Sequence, residues 1–182
     1  TVGFMVGKNV VPMLHSSSSL GNFPEVNGEE YFYYNHRESV GTYKINTSIS
    51  INNKITFLQG AKLLNNTGVV VTLFNTINAS PNDILFSGQG VVTPADAYTQ
   101  EKVYARWFGV DNKSSASSSS EYLQNAINFV QDMSSNAVLL LPQNGSFSLS
   151  SAITIKQGKS TTDTKAYTFE MDGQNCSVLQ NF

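Results

Sequence analysis

The chain has 182 residues, of which only 13% are charged, and its formal net charge is -2. Lys and Arg are scattered singly with no basic stripe, which excludes an electrostatic footprint for nucleic acid. No apolar window approaches the ~18 residues a membrane-spanning helix needs, and the single cysteine, Cys176, forms no intrachain disulfide. Ser, Thr, Asn and Gln replace the missing ions, a balance suited to extracellular β proteins whose surfaces hydrogen-bond without charge.

In chain order, residues 1–30 mix short apolar runs with a Ser16–Ser19 tract and the turn formers Gly21, Pro24 and Gly28, and read as an extended arm. Residues 31–104 read as a β-rich lead-in. Tyr43 and Ile45, Ile49 and Ile51, and Ile55 and Phe57 each alternate with polar residues, and Asn52-Asn53 supplies a turn. Leu63 and Leu64 end a strand before Asn65-Asn66. The β-branched run Val69 to Phe74 suits a strand buried on both faces, and Ile84 and Phe86 alternate before Gly88 and Gly90. The strand spacing is irregular, so no strict repeat is visible.

Residues 105–182 open with the one convincing helix. Leu123, Ala126, Ile127 and Val130 fall at i, i+3, i+4 and i+7, one face of a helix running from Glu121 to Met133. Ser118 followed by Glu121 has the spacing of a capping box, in which the two side chains satisfy N–H groups of the first turn. Ala137 to Leu141 then forms a buried strand stopped by Pro142, and Asn144-Gly145 turns the chain. Phe147, Leu149, Ile153 and Ile155 alternate, as do Tyr167, Phe169 and Met171, before a turn at Asp172-Gly173 and a last strand at Val178. A stack of strands buries each apolar face only against a neighbour. With no capping element after Val178 and Thr1 in place of an initiator Met, the expectation is a longer protein.

Chemistry-bearing motifs are sparse. His15 and His36 are isolated, no metal-ligand spacing occurs, and no cofactor is expected. Gly158-Lys159-Ser160 lacks the glycine of a phosphate loop, since Ile153 holds that position. Polysaccharide cleavage takes two carboxyl groups about the scissile bond. Glu170 and Asp172 share one face of a strand, but Asp172 before Gly173 suits a turn better, and the side chains of Glu29 and Glu30 diverge in an extended segment. No catalytic residue is assigned. Tyr31, Tyr33 and Tyr34 could stack on sugar rings, or bury alternate aromatics against another subunit, which is the favoured role. Asn46, Asn65, Asn78, Asn112, Asn144 and Asn175 begin N-x-S/T triplets, which chance supplies in a chain this rich in Asn, Ser and Thr.

The order Val103 to Val110 with Trp107-Phe108-Gly109, then a loop, the helix, Val138 to Pro142 and Gly145-Ser146-Phe147 resembles the start of the pectate-lyase-like right-handed β-helix of bacteriophage tailspikes. Gly41-Thr42-Tyr43, Gly60 to Leu63 and Ile84 to Phe86 resemble the β lead-in upstream of it. Asp111-Asn112-Lys113 and a Ser run stand where that family commonly carries Gly-Asp-Gly and paired Asp. The resemblance implies a mainly β fold: a lead-in, a capping helix, then the first rungs of a right-handed parallel β-helix. Trp107, Phe108, Ser118, Glu121, Leu123, Ile127 and Val130 would build the cap. It also implies a homotrimer in a virion tail, docked to tail or baseplate proteins through the arm. Host glycan would be bound or cleaved by downstream residues, with no nucleic-acid or membrane partner. A secreted polysaccharide lyase or hydrolase of the same fold, and a structural fibre without enzymatic activity, are the alternatives.

Overall fold

The computed structural model describes residues 2–6, 9–13, 25–26, 29–32, 42–52, 54–57, 60–112, 115–156 and 169–180. Among the described residues the fold is mainly strands with a single α-helix, and the sheets are short and separate. Among the described residues no helix is long and apolar enough to cross a membrane. The chain divides into two compact units, Thr1–Ala97 and Tyr98–Phe182. The division falls a few residues before the boundary at 104/105 expected from sequence.

The first unit begins with strands β1 (Val2–Val6) and β2 (Asn9–Met13), paired antiparallel with Val2 opposite Met13. Strand β3 (Glu25–Val26) pairs antiparallel with β4 (Glu29–Phe32). The expected arm at 1–30 therefore contains paired strands, and its last two residues already belong to β4.

From β4 onward the pairing turns parallel. The strands are β5 (Thr42–Ile45), β6 (Ile49–Ile51), β7 (Lys54–Phe57), β8 (Lys62–Asn65), β9 (Val70–Leu73), β10 (Ile77–Asn78), β11 (Phe86–Gly88) and β12 (Val91–Pro94). One sheet contains β4, β7 and β10, a second β5, β8 and β11, and a third β6, β9 and β12. The chain thus visits three parallel ladders in the same order three times, as a coil does. Thr42 pairs with Lys62, and Glu29 with Lys54, so register partners lie 20 to 25 residues apart. The repeat escapes sequence inspection because turn lengths vary while the strand registers hold.

Ladder register explains the burial. Ile55 and Ile77, Leu63 and Phe86, and Ile51 and Leu73 are paired neighbours pointing inward, and all are buried. The rings of Phe57 and Phe86 meet edge to face, with centroids 6.0 Å apart. The run Val69 to Phe74 departs from the expected two-sided burial. Val71 and Leu73 are fully buried, whereas Val70 and Phe74 are 36% and 39% exposed. A strand on the wall of a coil has an inner and an outer face, and successive side chains alternate between them.

Asn65 is a second departure, since it is the last residue of β8 rather than the first of the following turn, and it is buried. Gly88 lies opposite it, with φ +91°. A Cβ on Gly88 would overlap the carbonyl oxygen of Asn65. Only glycine accepts both that dihedral and that approach.

In the second unit, β13 (Lys102–Tyr104), β14 (Ala137–Leu140) and β16 (Phe169–Asp172) form one parallel sheet. Strands β15 (Ser146–Leu149) and β17 (Ser177–Gln180) form another. Between β13 and β14 stand a 3-10 turn at Ala105–Phe108 and helix α1 (Ala116–Asp132).

Candidate functional site

The helix-covered start of the second unit is the part of the chain to which most of the sequence-derived assignments refer. The 3-10 turn after β13 buries Ala105, Trp107 and Phe108. Trp107 is 1% exposed, and its ring lies 5.1 Å from that of Tyr104. Phe108 makes the ring contact with the helix, 5.4 Å from Phe129, and Tyr98 meets the same Phe129 edge to face at 5.3 Å. Gly109 ends the turn with φ +104°, and its amide bonds back to the Arg106 carbonyl at 2.9 Å. A Cβ there would stand 2.9 Å from the Tyr122 ring, so the missing side chain is what lets the helix close on the turn. An ion pair between Arg106 and Asp111, 3.0 Å apart, ties the two sides of this bend together.

Helix α1 starts earlier than its sequence pattern suggests. Ser115 is the N-cap, and its hydroxyl accepts the N–H of Ser118 at 3.2 Å. Ser118 and Glu121 consequently lie inside the helix, and the expected capping box is replaced by a single serine cap. Each serine in the Ser114–Ser120 run has a hydroxyl able to cap. Tertiary burial decides among them: Ser119 and Ser120 are packed away, so the helix gains by extending upstream to Ala116. Leu123, Ala126, Ile127 and Val130 are buried as their spacing implies. Phe129 and Tyr98, both buried, were missed. Phe129 lies on a second stripe with Ala126, Val130 and Met133, at i, i+3, i+4 and i+7, a signal present in the sequence but overshadowed by the Leu123 series.

The strands beyond the helix are held in register by their turns. The turn at Pro142–Gly145 lies beside the one at Gly173–Cys176, and the Asn144 amide donates to the Gln174 carbonyl at 3.0 Å. Asn144 and Asn175 occupy matching positions with φ 50° and 58°, the left-handed region Asn tolerates best after Gly. The Asn-Gly turn read from sequence therefore places its positive φ on the asparagine. Leu139 pairs with Met171, and Phe147 with Val178. Leu139 and Phe147 are buried, but Met171 and Val178 are 43% and 42% exposed.

Carboxylates and tyrosines are placed as follows. Glu170 and Asp172 are exposed on β16, and the Asp172 carboxylate accepts the N–H of Gln174 at 3.0 Å, a turn role. Among the described residues no group of three or more His, Cys, Asp or Glu is arranged to hold a metal ion. His15, His36, Tyr33 and Tyr34 fall outside the described residues. Tyr31 is placed by register alone, opposite Thr56 in the first ladder. Its strand lies between β3 and β7 rather than at the sheet edge. Asn65, which begins one N-x-S/T triplet, is buried and out of reach of a glycosylating enzyme.

No family model matches this chain, and no curated protein or solved structure matches it significantly.

Proposed function

We propose that this chain is the virion-proximal part of a phage tailspike or tail fibre, attaching the spike to the tail and starting a right-handed parallel β-helix. The observation that carries the reading is the sequence of parts in the second unit. A Trp-Phe-Gly turn leads into an amphipathic helix, and parallel strands then stack with their side chains in register. The same order of residues carries the resemblance to tailspikes.

On this reading the role of the chain is architectural. Trp107, Phe108, Phe129 and the buried face of α1 close the apolar end of the stack, which otherwise exposes unpaired backbone and invites aggregation. Met171 and Val178 would be covered by further coils, and binding or cleavage of host surface glycan would belong to those coils. The partners would be two further copies in a homotrimer, and a tail or baseplate protein at the arm.

Light scattering of the encoded protein tests the assembly: a trimer supports the reading and a monomer overturns it. Incubation with host capsule, followed by sizing of the released oligosaccharides, separates a depolymerase from an inert fibre. Deletion of residues 1–30 is expected to leave the trimer intact and abolish incorporation into virions.

A further inference from the structure

Helix α1 carries a row of polar side chains beside its apolar face. Ser120, Gln124 and Gln131 stand at i, i+4 and i+11, which aligns them along one line of the helix. All three reach the backbone of the segment that follows β15. The Ser120 hydroxyl accepts the N–H of Ser150 at 2.9 Å and of Ser151 at 3.3 Å, while donating to the Ala116 carbonyl at 3.0 Å.

Gln124 makes a two-way pair with Thr154. Its Oε1 accepts the Thr154 N–H at 2.8 Å, and its Nε2 donates to the Thr154 carbonyl at 2.9 Å. Gln131 does the same with Lys156, at 3.2 Å and 2.8 Å. Upstream of the helix, the Asn112 side-chain oxygen accepts the N–H of Ser146, the first residue of β15, at 3.0 Å. Lys156 also meets Asp132 at 3.7 Å across an exposed surface, which adds little.

A side-chain amide offers one donor and one acceptor in a plane, the same pair a neighbouring strand's backbone offers. Thr154 and Lys156 are two apart, the spacing at which a strand presents N–H and C=O to the same neighbour. The helix and its leading loop occupy the place in the chain, between β13 and β14, where the preceding turn of the stack would supply strands.

We propose that the row Ser120, Gln124 and Gln131 acts as a surrogate strand, with Asn112 holding Ser146 at the start of β15 in the same way. The row fixes residues 150–156 as a third strand position of the second unit, although that segment pairs with no strand among the described residues. The apolar face of α1 covers the core, and the polar row closes the backbone edge beside it. The inference does not depend on the proposed function, since it concerns only how the cap satisfies the backbone.

Amide hydrogen exchange of the 182-residue chain, followed residue by residue by NMR, tests it. In the unmodified protein the amides of Thr154 and Lys156 are expected to exchange more slowly than that of Ile155 between them. Gln124→Ala should speed exchange at Thr154 by about tenfold, in keeping with loss of one net hydrogen bond, and leave Lys156 unchanged. Gln131→Ala should do the reverse. Gln124→Met keeps the length and packing of the side chain but can make neither bond, so it should speed exchange at Thr154 as Gln124→Ala does, which loss of packing alone would not explain. The amides of Ile127 and Val130 report that the helix is intact in each variant. Uniform exchange from Ser150 to Lys156, or Thr154 protection unaltered by Gln124→Ala, would overturn the assignment.

Discussion

Replacing Gly88 by alanine tests the coil of the first unit at its tightest point. Two penalties act there. Holding an L-residue at positive φ costs roughly 1–2 kcal/mol. The added Cβ also overlaps the carbonyl oxygen of Asn65, the acceptor for the Gly90 amide at 3.1 Å, so the second ladder must part or the bond must lengthen. Overpacking of this kind costs about 1–3 kcal/mol. Gly68 supplies the control, because it has φ +78° but nothing within 4 Å of its ideal Cβ. Gly68→Ala should therefore suffer only the conformational penalty, and Gly88→Ala about 1–3 kcal/mol more. The single tryptophan, Trp107, lies in the second unit, so its fluorescence is the wrong probe. Exchange of the Leu63 and Val91 amides, bonded across the first unit to Leu85 and Val69, reports the relevant opening. Equal destabilisation by the two substitutions would refute the packing of Gly88 against Asn65.

Trp107→Ala should destabilise the second unit by about 3–5 kcal/mol, the usual range for deleting a large buried aromatic. Far-UV circular dichroism should show a fall in Tm of at least roughly 12 °C for a unit of this size, and a negligible shift would remove Trp107 from the cap. Ser115→Ala should cost about 1 kcal/mol through loss of the N-cap, whereas Ser118→Ala should stay within about 0.5 kcal/mol; urea denaturation ranks the two. Burial pushes the Tyr98 phenol above its ordinary value of 10.0, and its hydroxyl donates to Gln100 at 2.6 Å. The unfolded chain releases that proton first, so this contribution is complete below pH 10 and declines as pH rises above it. Absorbance titration should reveal one tyrosine ionising late, and Tyr98→Phe should remove it.

Sequence alone determined the elements whose signal is local. Alternation located most strands, and the 3.6-residue period located the buried stripe of α1, because one side of each element had to be apolar wherever it was packed. The helix start was not legible in this way: several adjacent serines cap equally well in isolation, and burial of Ser119 and Ser120 decided in favour of Ser115. Val69 to Phe74 was misjudged because β-branched residues fit an exposed wall as readily as an interior, and only the coil fixes which face looks out. Register belongs to the tertiary structure for the same reason. Nothing local announces that Thr42 meets Lys62, or that Gly88 must lie against Asn65, since the turns between them vary in length. The polar row on α1 was the least visible feature, because glutamines on a helix look like ordinary solvent-facing residues until a backbone segment arrives to be satisfied.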